Sequence, residues 1–163
     1  MGKAAQWKGL ASLSRDGSAR TAEMLVQGLL HQLRSQPMEL YVIEYCAKEC
    51  PGLKEMQAAC VEQSLRRGSE SLRPNIRDMA PPDIFAKSAA MTAALAIQWA
   101  RISGSRTATI PYRSLGFLDE GERLFKLYTD APGTASERCV SVVDLWAEHL
   151  KLRTLYRWQY VPR

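Results

Sequence analysis

Cysteine and histidine are the residues of this chain best able to do chemistry, and their spacing decides how far that goes. The four cysteines are Cys46, Cys50, Cys60 and Cys139, and the two histidines are His31 and His149. Cys46-x3-Cys50 with a distant Cys139 does not reproduce the short paired spacings of zinc sites. Four thiolates, or three with a histidine, could still meet in space, which keeps a thiol- or metal-dependent enzyme open. Cys46, Cys60 and Cys139 each fall on an apolar stripe, where a reduced cysteine packs as a small hydrophobe. Cys50 stands apart. It sits at a helix junction, where the N-terminus of the next helix can lower a thiol pKa, so it is the candidate reactive thiol. His149 lies between two apolar stripes and reads as a half-buried, hydrogen-bonded residue. His31 lies on a polar flank. Carboxylates are scattered, and no pair suggests a general acid and base. There is no phosphate-binding glycine loop, nucleophile elbow, H-E-x-x-H or EF-hand loop, so no motif asks for a cofactor. The balance is against an enzyme.

Cys50-x9-Cys60 has the spacing found in small coiled-coil-helix proteins of the mitochondrial intermembrane space. The resemblance covers Cys50 to Cys60 alone. That family needs two such pairs on antiparallel helices, because residues ten apart on one helix are about 15 Å distant and cannot bridge each other. Cys46 and Cys139 are not placed to form the second pair, so the family is not carried over.

The elements that must position these residues are helices. Thr21 caps the first, with Met24, Leu25, Leu29, Leu30 and Leu33 at steps of three and four. Gln36-Pro37 ends it. A second helix covers about Met38 to Cys50, with Leu40, Val42, Ile43 and Cys46 on a wide apolar face. Pro51 opens a third, to about Arg67, whose inward residues are Leu53, Met56, Cys60, Val61 and Leu65. Gly68 stops it. Residues 68–82 hold Gly68, Pro74, Asn75, Pro81 and Pro82 and form the clearest break, a linker if two subdomains exist. Asp83 caps the most regular helix, to about Ser103. It carries a seam of Phe85, Ser88, Thr92, Leu95, Trp99 and Ile102, and its alanines permit close neighbours, which places it at the centre. Thr107 to Ile110 is the one run that could be a strand. A short helix from Asp119 to Tyr128 follows. The last helix runs from about Ser136 to Trp158. The expectation is an all-α fold: an irregular bundle of five or six helices over residues 21–163, with a basic N-terminal arm at 1–20 and an extended C-terminal tail.

Charge and surface carry the rest. Apolar content of 46% and charged content of 24% are those of a globular domain, and the net charge is +5. No stretch reaches the roughly 18 apolar residues of a membrane span; Ser88 to Ala100 comes nearest. The first twenty residues are basic, serine-containing and acid-poor, as in a mitochondrial targeting segment or a basic arm of a bacterial protein. Met1-Gly2 lacks the Ser or Thr that myristoylation needs, because Gln6 occupies that place. Trp7 and Lys8 in the arm, Arg66, Arg67, Arg73 and Arg77 near the break, and Arg153, Arg157, Trp158 and Tyr160 at the end are the candidate partner-binding residues. They point to a non-enzymatic interaction protein, an accessory or assembly subunit of a larger complex that docks on other protein subunits. The compartment is the mitochondrion if the N-terminal segment is a targeting signal, and otherwise the bacterial cytoplasm. The alternative is a small basic regulator of bacterial or phage type that binds nucleic acid or another regulator. An anionic lipid surface would suit the same charge.

Overall fold

The computed structural model describes residues 15–158. Most of the expected N-terminal arm, with Trp7 and Lys8, lies outside the described residues, as does Tyr160. Within them the chain is all-α. It has five long helices: α1 (Arg15–Glu49), α2 (Lys54–Ser71), α4 (Pro82–Ser103), α6 (Leu118–Asp130) and α7 (Ala135–His149). Two short ones, α3 (Pro74–Arg77) and α5 (Ile110–Ser114), and 3-10 turns at Pro51–Leu53, Thr107–Thr109 and Arg153–Leu155 connect them.

Helix α4 is the axis of the bundle. Ala89, Ala90, Met91, Ala93, Ala94, Leu95 and Ala96 are all buried, as are Phe85, Ile97 and Trp99. The alanines leave room for neighbours on several sides, and α1, α2, α5 and α6 all pack against α4. One close approach is at Gly121 in α6, where an added Cβ would lie 2.6 Å from Ala93 Cβ. Gly104, in a left-handed conformation at φ 77°, ends α4 and donates its N–H to Ala100. Buried residues of α1, α2, α4, α5, α6 and α7 join one core cluster that also contains Leu72, Leu150 and Leu152.

Several sequence expectations are corrected. Helix α1 is already formed at Thr21, so that residue is interior and not a cap. Pro37 does not end the helix; α1 runs through it to Glu49. An interior proline removes one helical hydrogen bond and costs about 3 kcal/mol. Full burial of Pro37, beside buried Leu33, Gln36 and Leu40, offsets that cost. Gly68 is not a stop either. It lies inside α2, where an added Cβ would meet Thr92 Cγ2 at 2.6 Å and the Tyr112 hydroxyl at 2.8 Å. Pro81 and Pro82 start α4, and Asp83 stands in its first turn. Thr107 to Ile110 is a 3-10 turn leading into α5, not a strand.

The last helix stops at His149 instead of Trp158. Lys151 takes a left-handed φ of 58°. The Leu152 N–H then bonds Ala147 O at 2.7 Å, and the Lys151 N–H bonds Glu148 O at 3.1 Å. This is a Schellman stop with a buried leucine just beyond it. Lys151, Arg153 and Arg157 are therefore not on a final helical turn.

Candidate functional site

Three of the four cysteines gather around one end of α1. Cys46 is half-buried on α1, and Cys50 is half-buried at the junction. The Cys50 N–H bonds Cys46 O and its carbonyl accepts from Leu53 N–H, so it opens a three-residue 3-10 turn and not α2 itself. Cys60 is exposed, contrary to the expected inward position. Cys139 is buried on α7, its Sγ donates to Met38 Sδ at 4.0 Å, and burial pushes its thiol pKa up. All four cysteines are free thiols. Among the described residues no group of three or more His, Cys, Asp and Glu side chains is placed to hold a metal ion. His31 is exposed, and His149 is a surface residue whose Nε2 lies 2.7 Å from Glu120 Oε1.

Cys46 and Cys60 face each other across an open groove of about 480 Å³ between α1 and α2. Met38, Val42 and Ile43 line the α1 wall, and Leu53, Met56 and Val61 line the opposite one. The groove forms because the two helices turn only the edges of their apolar faces inward. Ile43, Val61 and Leu65 enter the core, whereas Val42, Leu53 and Met56, expected inside, remain exposed. Gln57 ties the walls together by donating to Ile43 O at 2.7 Å. Glu39 is a half-buried carboxylate in the groove. Burial raises its pKa, partly opposed by a hydrogen bond from Ser64. Methionine and cysteine linings adapt to different apolar occupants, because the thioether is unbranched and polarisable.

A second hollow, about 800 Å³, opens between α4, α5 and α6. Arg101, Arg106, Arg113 and Lys126 rim it, with Glu122 and Asp130, over a floor that includes Ile97, Leu118 and Phe125. The Arg101 guanidinium sits 4.5 Å above the Phe125 ring centre. Lys126 is paired with Asp130 at 2.5 Å. These cations are dispersed along the chain, and only the fold brings them together. Their sequence signal is too diluted to be read in advance.

The candidate partner-binding residues do not form one surface. Arg66, Arg67, Arg73 and Arg77 are all exposed, and Arg77 Nε lies 3.5 Å from Asp78. Arg66 borders a separate hollow with Trp99 and Pro111. At the other end the tail folds onto α7. Asp144 accepts from the Tyr156 hydroxyl at 2.5 Å and from Trp158 Nε1 at 3.0 Å, and Arg153 Nε lies 3.7 Å away. The Tyr156 and Trp158 rings meet edge to face at 5.8 Å. Trp158 thus packs within its own chain, while Arg157 is exposed.

No protein-family model, curated protein or solved structure matches the chain. No helix among the described residues is long and apolar enough to cross a membrane.

Proposed function

We propose that this protein is a non-enzymatic interaction component, an accessory or assembly subunit, and that it docks protein partners on the α1–α2 groove. The observation that carries the reading is the run of large apolar side chains left in solvent there: Met38, Val42, Leu53 and Met56. Each is about half exposed, so covering it is worth roughly half of the ~1.5–3 kcal/mol of a full burial. A contiguous apolar patch of this kind marks an interaction face. The mitochondrial compartment stays attached to the targeting-like character of residues 1–20. The test is the size of the assembly in native extract. Wild type is expected to fractionate well above its own mass, and a Leu53→Asp, Met56→Asp double variant to run free with an unchanged circular dichroism spectrum. A wild type that runs at its own mass, or a variant that still co-fractionates, ends this reading.

The basic hollow favours a second reading, a small regulator that binds nucleic acid. Arg101, Arg106 and Arg113 make no ion pair with a described carboxylate. Salt-dependent retention on DNA or RNA would favour it if Arg106→Glu, Arg113→Glu flattened the salt dependence. Absence of retention at low salt would end it.

A further inference from the structure

The exposed side of α1 is complementary to itself. Arg34, Met38, Tyr45 and Glu49 follow at steps of four, seven and four, so they share one stripe, with Val42 beside it. Met38 is 48% exposed, Val42 47% and Tyr45 50%. Tyr41 stands against Tyr45 with ring centres 6.1 Å apart. The stripe is therefore apolar and aromatic in the middle, with a cation at one end and a carboxylate at the other. Arg34 and Glu49 are both exposed, and neither makes an ion pair with a described residue. The neighbouring Lys48 is held by Glu44 at 2.8 Å and does not serve Glu49.

We propose that a second copy of this chain covers this face, with its α1 antiparallel to the first about a twofold axis between Tyr41 and Val42. The proposal rests on reading the α1–α2 face as a docking surface, and it names the partner. In that register Arg34 meets the partner's Glu49, Met38 meets the partner's Tyr45, and Tyr41 meets the partner's Val42. The twofold repeats every pair. Charge selects the direction, because parallel helices would set Arg34 on Arg34 and Glu49 on Glu49. It also selects the register, because a slip of one turn strands both charges against apolar side chains. The stretch from Arg34 to Glu49 is about 24 Å of helix. Leu53 and Met56, 44% and 60% exposed, flank it and widen the contact toward the roughly 800 Å² per partner of a stable interface.

Sedimentation of the pure full chain from low-micromolar to near-millimolar concentration tests this. A dimer is expected. Arg34→Glu and Glu49→Arg should each weaken it about tenfold or more, since each reversal breaks two symmetric pairs. The two combined should restore the Kd to within about threefold, as only directly paired charges do. Val42→Asp, beside the axis, should give a monomer with an unchanged circular dichroism spectrum. A monomer at every concentration overturns the proposal, as does a dimer indifferent to Arg34→Glu, or a double reversal as weak as either single one. If the pure chain is monomeric while its extract assembly still depends on Leu53 and Met56, self-pairing falls and the docking reading stands.

Discussion

Gly121 of α6 sits against Ala93 of α4 so closely that a further carbon between them does not fit. A Cβ on Gly121 would lie 2.6 Å from Ala93 Cβ and 3.1 Å from the Ala93 carbonyl carbon and the Ala94 nitrogen. Backbone cannot yield as a flexible side chain does. Gly121→Ala gains helix propensity of about 1 kcal/mol, but overpacking at a fully buried contact costs about 1–3 kcal/mol. Gly28 supplies the control. It is exposed within α1, and an added Cβ there meets nothing within 4 Å. Thermal melts should show Gly121→Ala losing several degrees and Gly28→Ala gaining a few. A stabilised Gly121→Ala would mean that α4 and α6 are not in this contact.

Lys151 gives a second prediction about the architecture. Its φ of 58° is costly for a residue with a Cβ, yet the turn it makes ends α7 and returns the chain for Tyr156 and Trp158 to reach Asp144. Lys151→Gly removes that backbone strain and should raise stability by about 0.5–1 kcal/mol, read as the urea midpoint at constant m-value. A less stable variant would place Lys151 in a right-handed conformation and α7 as a longer helix.

These two positions explain what the sequence made legible. The central helix was readable because its alanine-rich apolar run and its Gly104 stop agree, although it starts at Pro82, one residue before the expected Asp83 cap, and Ile102 of the expected seam is exposed. The end of α7 was not, because its left-handed stop is a lysine and Leu152, just beyond it, continues the helical period from Leu145 and His149. Pro37 misled for the opposite reason. Its local cost is real, and only long-range burial overrides it. The groove was half legible: Val42 reads as part of one apolar helix face and Leu53 and Met56 as part of the next, but nothing local distinguishes a face that meets the core from one that meets solvent. The arginines of the larger hollow lie on α4, on the loop before the Thr107–Thr109 turn and on α5, and left no pattern to read.

Tyr112 on α5 is fully buried, and its hydroxyl has no hydrogen-bond partner among the described residues. Burial drives its pKa far above the usual phenol range. An unsatisfied buried hydroxyl costs about 1–3 kcal/mol, whereas phenylalanine keeps the ring and removes the polar atom. Tyr112→Phe should therefore match or exceed the wild-type melting temperature. It also widens the gap at Gly68, whose added Cβ would sit 2.8 Å from that hydroxyl. Gly68→Ala should accordingly be less damaging in the Tyr112→Phe background than alone. Equal damage in both backgrounds would separate the two sites.

Glu39 links the groove to pH. Its folded-state pKa is raised by burial, which disfavours the charged form, and the hydrogen bond from Ser64 recovers part of that cost. The sign follows directly. Below the unfolded pKa the carboxyl is neutral in both states and carries no penalty. As pH rises through the folded pKa, the fold must hold a charge that the unfolded chain hydrates better, and stability falls. Glu39→Gln removes that charge and keeps a group able to bond Ser64. The variant should be more stable than wild type at pH 7, and the difference should close on acidification to about pH 4, near the ordinary glutamate value. Urea melts at both pH values check it. The same substitution takes a carboxylate out of an apolar groove, so an apolar partner should bind more tightly at pH 7 and indifferently in acid. A variant less stable than wild type at pH 7 would mean that Glu39 is charged and paired, and that the groove is more polar than its lining of methionine, valine and cysteine implies.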